Sequence, residues 1–215
     1  MLVVWIKIVY GVGNMGFISG SASFVRFGVE GELPDNSLEF IADRIASFSF
    51  RDIDDDIDEY SVGWVSVLNM FDSGFEYASF LNGDYIVLSL RIDERKVSPA
   101  ILKKFIQKEE ERVKKEKQLP SLGRSVKVEI KERVKAELTR KAIPMPAVYD
   151  LCWNLSEQTV IFFTTNKKAH VVLEDFFNDC FGCLLVQQIP YVTAEHLLNA
   201  DDSEQLAKIS PEIFV

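Results

Sequence analysis

Residues Arg91–Gln118 read RIDERKVSPAILKKFIQKEEERVKKEKQ. The run opens as the end of a strand and becomes a helix within eight residues. Ser98 stands where a helix cap belongs. Pro99 sits at the first helical position, where its missing N–H costs no bond. From Ala100 to about Lys117, Leu102, Phe105, Ile106 and Val113 form one apolar stripe among charges. Leu119-Pro120-Ser121-Leu122-Gly123 breaks the chain. A second helix is expected from Arg124 to Ala142, on the row Val126, Ile130, Val134 and Leu138, with Pro144 and Pro146 stopping it. Two helices joined this tightly fold back on each other as a hairpin.

The charge of this hairpin is opposite to that of its chain. The 215 residues carry a formal net charge of −9. Arg91–Ala142 holds 17 basic and 9 acidic residues, a net of +8, and the remainder holds 7 and 24, a net of −17. Such asymmetry points to a polyanion, or to an acidic surface on a partner or a second copy. In the first helix, Glu110 with Lys114 and Glu111 with Lys115 are spaced to pair and steady the helix. In the second, Lys127, Lys131 and Lys135 repeat at i+4, one turn after Arg124. Like charges at that spacing repel, so an anion lying along the row would relieve a built-in strain. With Arg91, Arg95, Lys96, Lys103, Lys104 and Lys108 these cations are the candidate phosphate contacts. No base-reading motif accompanies them, so the contacts expected are with the backbone, independent of sequence and sensitive to salt.

Outward from the hairpin, the pattern is that of strands. Ser21–Glu30 alternates, with Ser23, Val25, Phe27 and Val29 on one side. Pro34–Ser37 offers a turn and a cap for a helix whose apolar positions are Leu38, Ile41, Ile45 and Phe48. Gly63–Leu68 reads as a strand. Phe75–Leu81 and Asp84–Ile92 flank Asn82-Gly83, a hairpin signal in which both central residues accept positive φ. After the basic helices, Ala147–Leu155 and Thr159–Thr165 form a second hairpin. Lys167–Phe181 is a helix ended by Gly182, and Cys183–Ile189 is a last strand. The order β-α-β-β-β, α-α, β-β-α-β implies an α+β fold with largely antiparallel sheets in two halves and the basic helical hairpin inserted between them.

Other residues carry less. Asp52, Asp54, Asp55, Asp56, Asp58 and Glu59 imitate the start of a calcium loop, but Ile57 occupies the turn position that wants Gly, and Gly63 replaces the last ligand. The run reads as a solvated acidic loop. Cys180-Phe181-Gly182-Cys183 falls at a helix C-terminus, the wrong end for a reactive thiolate. With Cys152 the cysteines are odd in number, which suits a reducing cytoplasm and structural thiols rather than a disulfide framework. His170 and His196 have no nucleophile motif around them. Trp5, Trp64, Trp153 and the phenylalanines read as core. The sequence points to no catalytic residue, no metal, no cofactor and no membrane span. Met1–Asn14 is taken as a non-native extension before a start at Met15, and the residues from Thr193 to Val215 as an acidic tail.

The order of these features resembles the recombination-associated protein RdgC family. It runs from GWV (Gly63–Val65) through IVLSLR (Ile86–Arg91), SPAILKKFIQKEEERVKKEK (Ser98–Lys117) and KERVKAELTRKAIPMP (Lys131–Pro146). It continues through YDLCWNLSEQTVIFFTT (Tyr149–Thr165) to NKKAHVVLEDFFNDCFGCLLV (Asn166–Val186). The likeness covers about Met15 to Tyr191, with the helical arm at 98–142. It implies a non-enzymatic bacterial nucleoid protein that binds double-stranded DNA without sequence preference, forms ring-shaped homodimers and restrains RecA-type recombination. Typical members continue into a further C-terminal region that this chain lacks. Two other readings stand beside it: an interaction module docking its basic hairpin on an acidic partner, and a metal-dependent nuclease using the aspartate run.

Overall fold

A computed structural model describes residues 23–189 except 57 and 76–78, together with 191 and 194. Met1–Asn14, Trp5, His196 and the tail from Thr193 therefore lie outside the described residues, save Ala194. The element order is β1 (Val25–Glu30), α1 (Ser37–Ser47), β2 (Tyr60–Val65), β3 (Leu81–Asn82), β4 (Tyr85–Arg95), α2 (Pro99–Glu116), α3 (Arg124–Lys141), β5 (Pro144–Asn154), β6 (Thr159–Phe162), α4 (Lys167–Phe181) and β7 (Leu184–Gln187). This is an α+β fold, with the strands and helices in the order that periodicity predicts, although the third strand is Leu81–Asn82 where Phe75–Leu81 is expected and Phe75, Ser79 and Phe80 lie outside it.

The two halves do not keep separate sheets. All seven strands of the described residues share one antiparallel sheet in the order β2-β4-β5-β6-β1-β7, with β3 beside β4. The joint is the long ladder from Tyr85↔Asn154 to Arg95↔Pro144. β1, the first described strand, lies between β6 and β7. β5 begins three residues earlier than its apolar pattern suggests. Pro144 and Pro146 stop α3 and then enter the sheet opposite Arg95 and Asp93. The sheet tolerates them there because β6 reaches only Leu151–Asn154, which leaves that end of β5 paired on one side. The turn between β3 and β4 is also displaced by one residue. Asn82 pairs with Tyr85, so Gly83 and Asp84 are its central residues. Of the two, only Gly83 has positive φ, at 61°.

One face of the sheet buries the main core. Ile86, Leu88, Leu90 and Ile92 of β4 and Leu151 and Trp153 of β5 meet Ile41 and Ile45 of α1 and Leu173, Phe176, Phe177 and Phe181 of α4. Trp153 packs against Phe177 and Phe181, and Trp64 against Phe176 and Phe181. Trp64 Nε1 donates to Cys180 Sγ at 3.3 Å. Burial pushes the Cys180 thiol up to about 12, and Cys152, Cys180 and Cys183 are free, buried thiols. His170 is a core residue too. Its Nε2 lies 2.9 Å from the Thr164 carbonyl, between the rings of Phe27 and Phe162. Gly182 ends α4 in the left-handed region, as predicted.

The opposite face of β4 is polar and yet buried: Ser89, Arg91, Asp93 and Arg95 follow one another along it. The segment after α1 crosses this face at Gly63, where a Cβ would stand 2.3 Å from the Phe50 Cα. Only glycine permits that approach. The crossing carries Phe50 and the aspartate-rich residues 52–56 and 58 over the arginines.

Candidate nucleic-acid interface

α2 and α3 leave the sheet together, continuing the β4–β5 ladder as an arm. Each has 18 residues, which gives about 27 Å of length. Val113, Leu122, Ile130 and Val134 form a small core between them, with Leu102, Ile106, Val126 and Leu138 around it. That cluster is separate from the main core. The predicted stripes face this core: Val113, Ile130 and Val134 are buried, Leu102, Ile106, Val126 and Leu138 partly so, and Phe105 remains 39% exposed. Leu122 in the connecting loop completes the cluster. Its place is hidden in the sequence because the loop has no period.

The arm has two unlike sides. Glu109 on α2 joins Arg112 at 2.6 Å and Arg133 of α3 at 2.5 Å, and Arg112 also meets Glu116 at 2.6 Å. Hydrogen bonds from Arg112, with the charges of both guanidiniums, hold the Glu109 carboxyl down at about 2. Glu137 and Lys141 pair near the base. The pairs expected from spacing, Glu110 with Lys114 and Glu111 with Lys115, are not formed within 4.0 Å among the described residues. Arg112 takes the place of the lysines because its planar fork reaches two carboxylates at once.

At about 100° per residue, Arg124, Lys127, Lys131 and Lys135 fall on the flank of α3 away from Arg133. The helices run antiparallel, so this flank shares a broad side of the arm with Lys103 and Lys114 of α2. Glu110 lies among them. Lys103, Arg124, Lys127, Lys131 and Lys135 are exposed. None of the five has a carboxylate within 4.0 Å among the described residues. Lys104 and Lys108 are exposed on the solvent side of α2, away from α3. The arm therefore sorts its charge. One side is neutralised by its own ion pairs, and the other presents a row of unpaired cations about 6 Å apart along α3.

Three candidate contacts belong elsewhere. Arg91 is 4% exposed and is committed to Asp93, with Nε–Oδ1 at 2.8 Å and Nη2–Oδ2 at 2.6 Å. The rings of Phe50 and Phe71 cover its guanidinium at 4.1 and 5.5 Å. Arg95 is 8% exposed. Its Nε donates to the Asp58 carbonyl at 2.9 Å, and its Nη2 to those of Ile53 (2.6 Å), Asp56 (2.9 Å) and Asp54 (3.3 Å). Its Nη1 donates to the Ala142 carbonyl at the end of α3. Neither guanidinium faces solvent, so neither meets a phosphate in this conformation. Lys96 is exposed but paired with Glu94 at 2.7 Å. Strand alternation assigns Arg91 and Arg95 to a face. It says nothing of the loop that covers that face.

The aspartate run is a solvated loop outside and a cage inside. The side chains of Asp52, Asp54, Asp55 and Asp56 line a shallow surface hollow, while the backbone carbonyls turn in on Arg95. Among the described residues, no group of three His, Cys, Asp or Glu side chains is placed to hold a metal. No helix of the described residues is long and apolar enough to cross a membrane. Comparison of the chain with protein-family models gave no match, and neither did comparison with curated proteins.

Proposed function

We propose that this protein binds nucleic acid through the backbone, with the unpaired lysine side of the α2–α3 arm laid along a DNA duplex. The observation that carries the reading is the row Lys127, Lys131 and Lys135, exposed and, among the described residues, without a carboxylate within 4.0 Å. It stands on an arm whose other side satisfies its charge internally. A row of like charges on one flank weakens its own helix slightly and gains when phosphates release their counterions to it. The acidic remainder of the chain repels DNA and confines contact to the arm. Together with the resemblance to the RdgC family, this supports a non-enzymatic role in recombination or replication, with restraint of a RecA-type recombinase as its cellular consequence.

The test is fluorescence anisotropy with two duplexes of unrelated sequence, titrated from low to moderate salt. Replacing Lys127, Lys131 and Lys135 by Gln is expected to weaken binding equally for both duplexes. Each lost phosphate contact lowers the slope of log K against log salt by about 0.9, so the triple variant should be shallower by about 2.7. Unchanged affinity and slope in the triple variant would defeat the proposal. So would a preference for poly-glutamate over DNA, which would favour an acidic protein partner.

A further inference from the structure

The buried Arg95 holds three parts of the molecule at one point. Its own strand, β4, delivers the chain into the arm. Its Nη1 donates to Ala142, the residue that ends α3 and brings the chain back. Its Nε and Nη2 hold the carbonyls of residues 53, 54, 56 and 58. Its backbone N–H donates to the Glu59 carbonyl at 2.9 Å. Elsewhere the arm has little to hold its angle, because its core is separate from that of the sheet.

We propose that Arg95 is a positioning residue: it pins the base of the arm to the aspartate-rich loop and so fixes the direction in which the lysine row is presented. The functional half of this inference rests on the reading of that row as a phosphate-binding surface. The structural half does not. Five carbonyls in several directions suit a guanidinium, whose rigid fork carries five donors, the two on Nη2 being shared among three of the carbonyls. An ammonium with three donors on a flexible stem holds fewer of them. If release of the pin leaves about a tenth of the arms in the binding direction, apparent affinity falls about tenfold. The number of phosphates contacted by a bound arm does not change.

The test uses the full chain with nitroxide labels at Ser121→Cys in the arm's connecting loop and Glu157→Cys in the β5–β6 turn. Both positions are exposed, and the three natural thiols are buried. Pulsed electron resonance then reads the spread of arm-to-sheet distances with and without Arg95→Gln. The proposal expects a narrow distribution with Arg95, a broad one with Gln, and an intermediate one with Lys. It also expects duplex affinity about tenfold lower in Arg95→Gln with the same salt slope. Equal widths would overturn it, as would a slope reduced by about 0.9, the mark of a direct phosphate contact. If Arg95→Gln loses its circular dichroism signal, Arg95→Lys supplies the same two readouts. If the parent chain ignores DNA, the phosphate reading falls, and the distance widths still decide the pin.

Discussion

Truncating Ile130 to alanine tests whether the arm is a folding unit of its own, the property on which its use as a probe of DNA depends. Ile130 is 2% exposed in a cluster whose other buried members are Val113, Leu122 and Val134. Four such side chains contribute about 1.5–3 kcal/mol each, or roughly 6–12 kcal/mol in all, before chain entropy is counted. Ile→Ala in a packed core costs about 2–5 kcal/mol. That is a large fraction of the arm's gross stabilisation, and the main core does not share the loss. The arm should therefore open while the sheet remains closed, as expected of a low-stability cooperative unit.

Hydrogen exchange read by mass spectrometry is the direct assay. In Ile130→Ala, amides of α2 and α3 should lose protection while those of β4 and α4 keep theirs. Circular dichroism should fall sharply, because among the described residues the arm holds more than half of those in helices α1–α4. Duplex binding should vanish with the arm's protection. Ile130→Val, costing only about 0.5–1.5 kcal/mol, should leave the arm closed. Simultaneous loss of protection in arm and sheet would refute the reasoning, because the two clusters would then be one cooperative core.

Asp93→Asn leaves the buried Arg91 guanidinium against a neutral partner, with only the exposed Asp52 carboxylate left at 4.0 Å, and breaking a buried pair in this way costs about 3–5 kcal/mol. Urea unfolding should show that loss, and the paired change Arg91→Met with Asp93→Leu should recover much of it. Glu109 gives the arm a pH dependence. Its carboxyl is held below its unfolded value, at about 2, so its stabilisation is complete above the ordinary glutamate range and disappears as pH falls toward 2. The arm's helical signal should weaken across that window, and Glu109→Gln should remove this component. A pH profile identical in the variant would show that the Glu109 cluster contributes nothing to the arm.

Much of the candidate site is legible because its determinants are local. Ser98-Pro99 and Pro144 bound the two helices, and the rows Leu102–Val113 and Val126–Leu138 name the buried side. The lysine repeat at 127, 131 and 135 follows from the same period. The pairing pattern is not legible in this way. Spacing favours Glu110 with Lys114, yet Glu109 bridges Arg112 and, on the other helix, Arg133. A carboxylate between two helices sees neighbours that a single-helix count omits.

The sequence by itself determined the elements, their order and the existence of a basic arm. Capping, breaking and amphipathic periodicity act within a few residues, so they can be read along the chain. The tertiary structure alone decided that one sheet unites both halves, that β1 lies between β6 and β7, and which cations remain free. Arg91 and Lys131 are equally basic on paper. One is covered by Phe50 and held by Asp93, and the other is open to solvent. Burial and pairing depend on segments that meet only in space, as when Arg95 meets Asp56 and Ala142 from 39 and 47 residues away. Charge is a property of the residue, but its availability is a property of the fold.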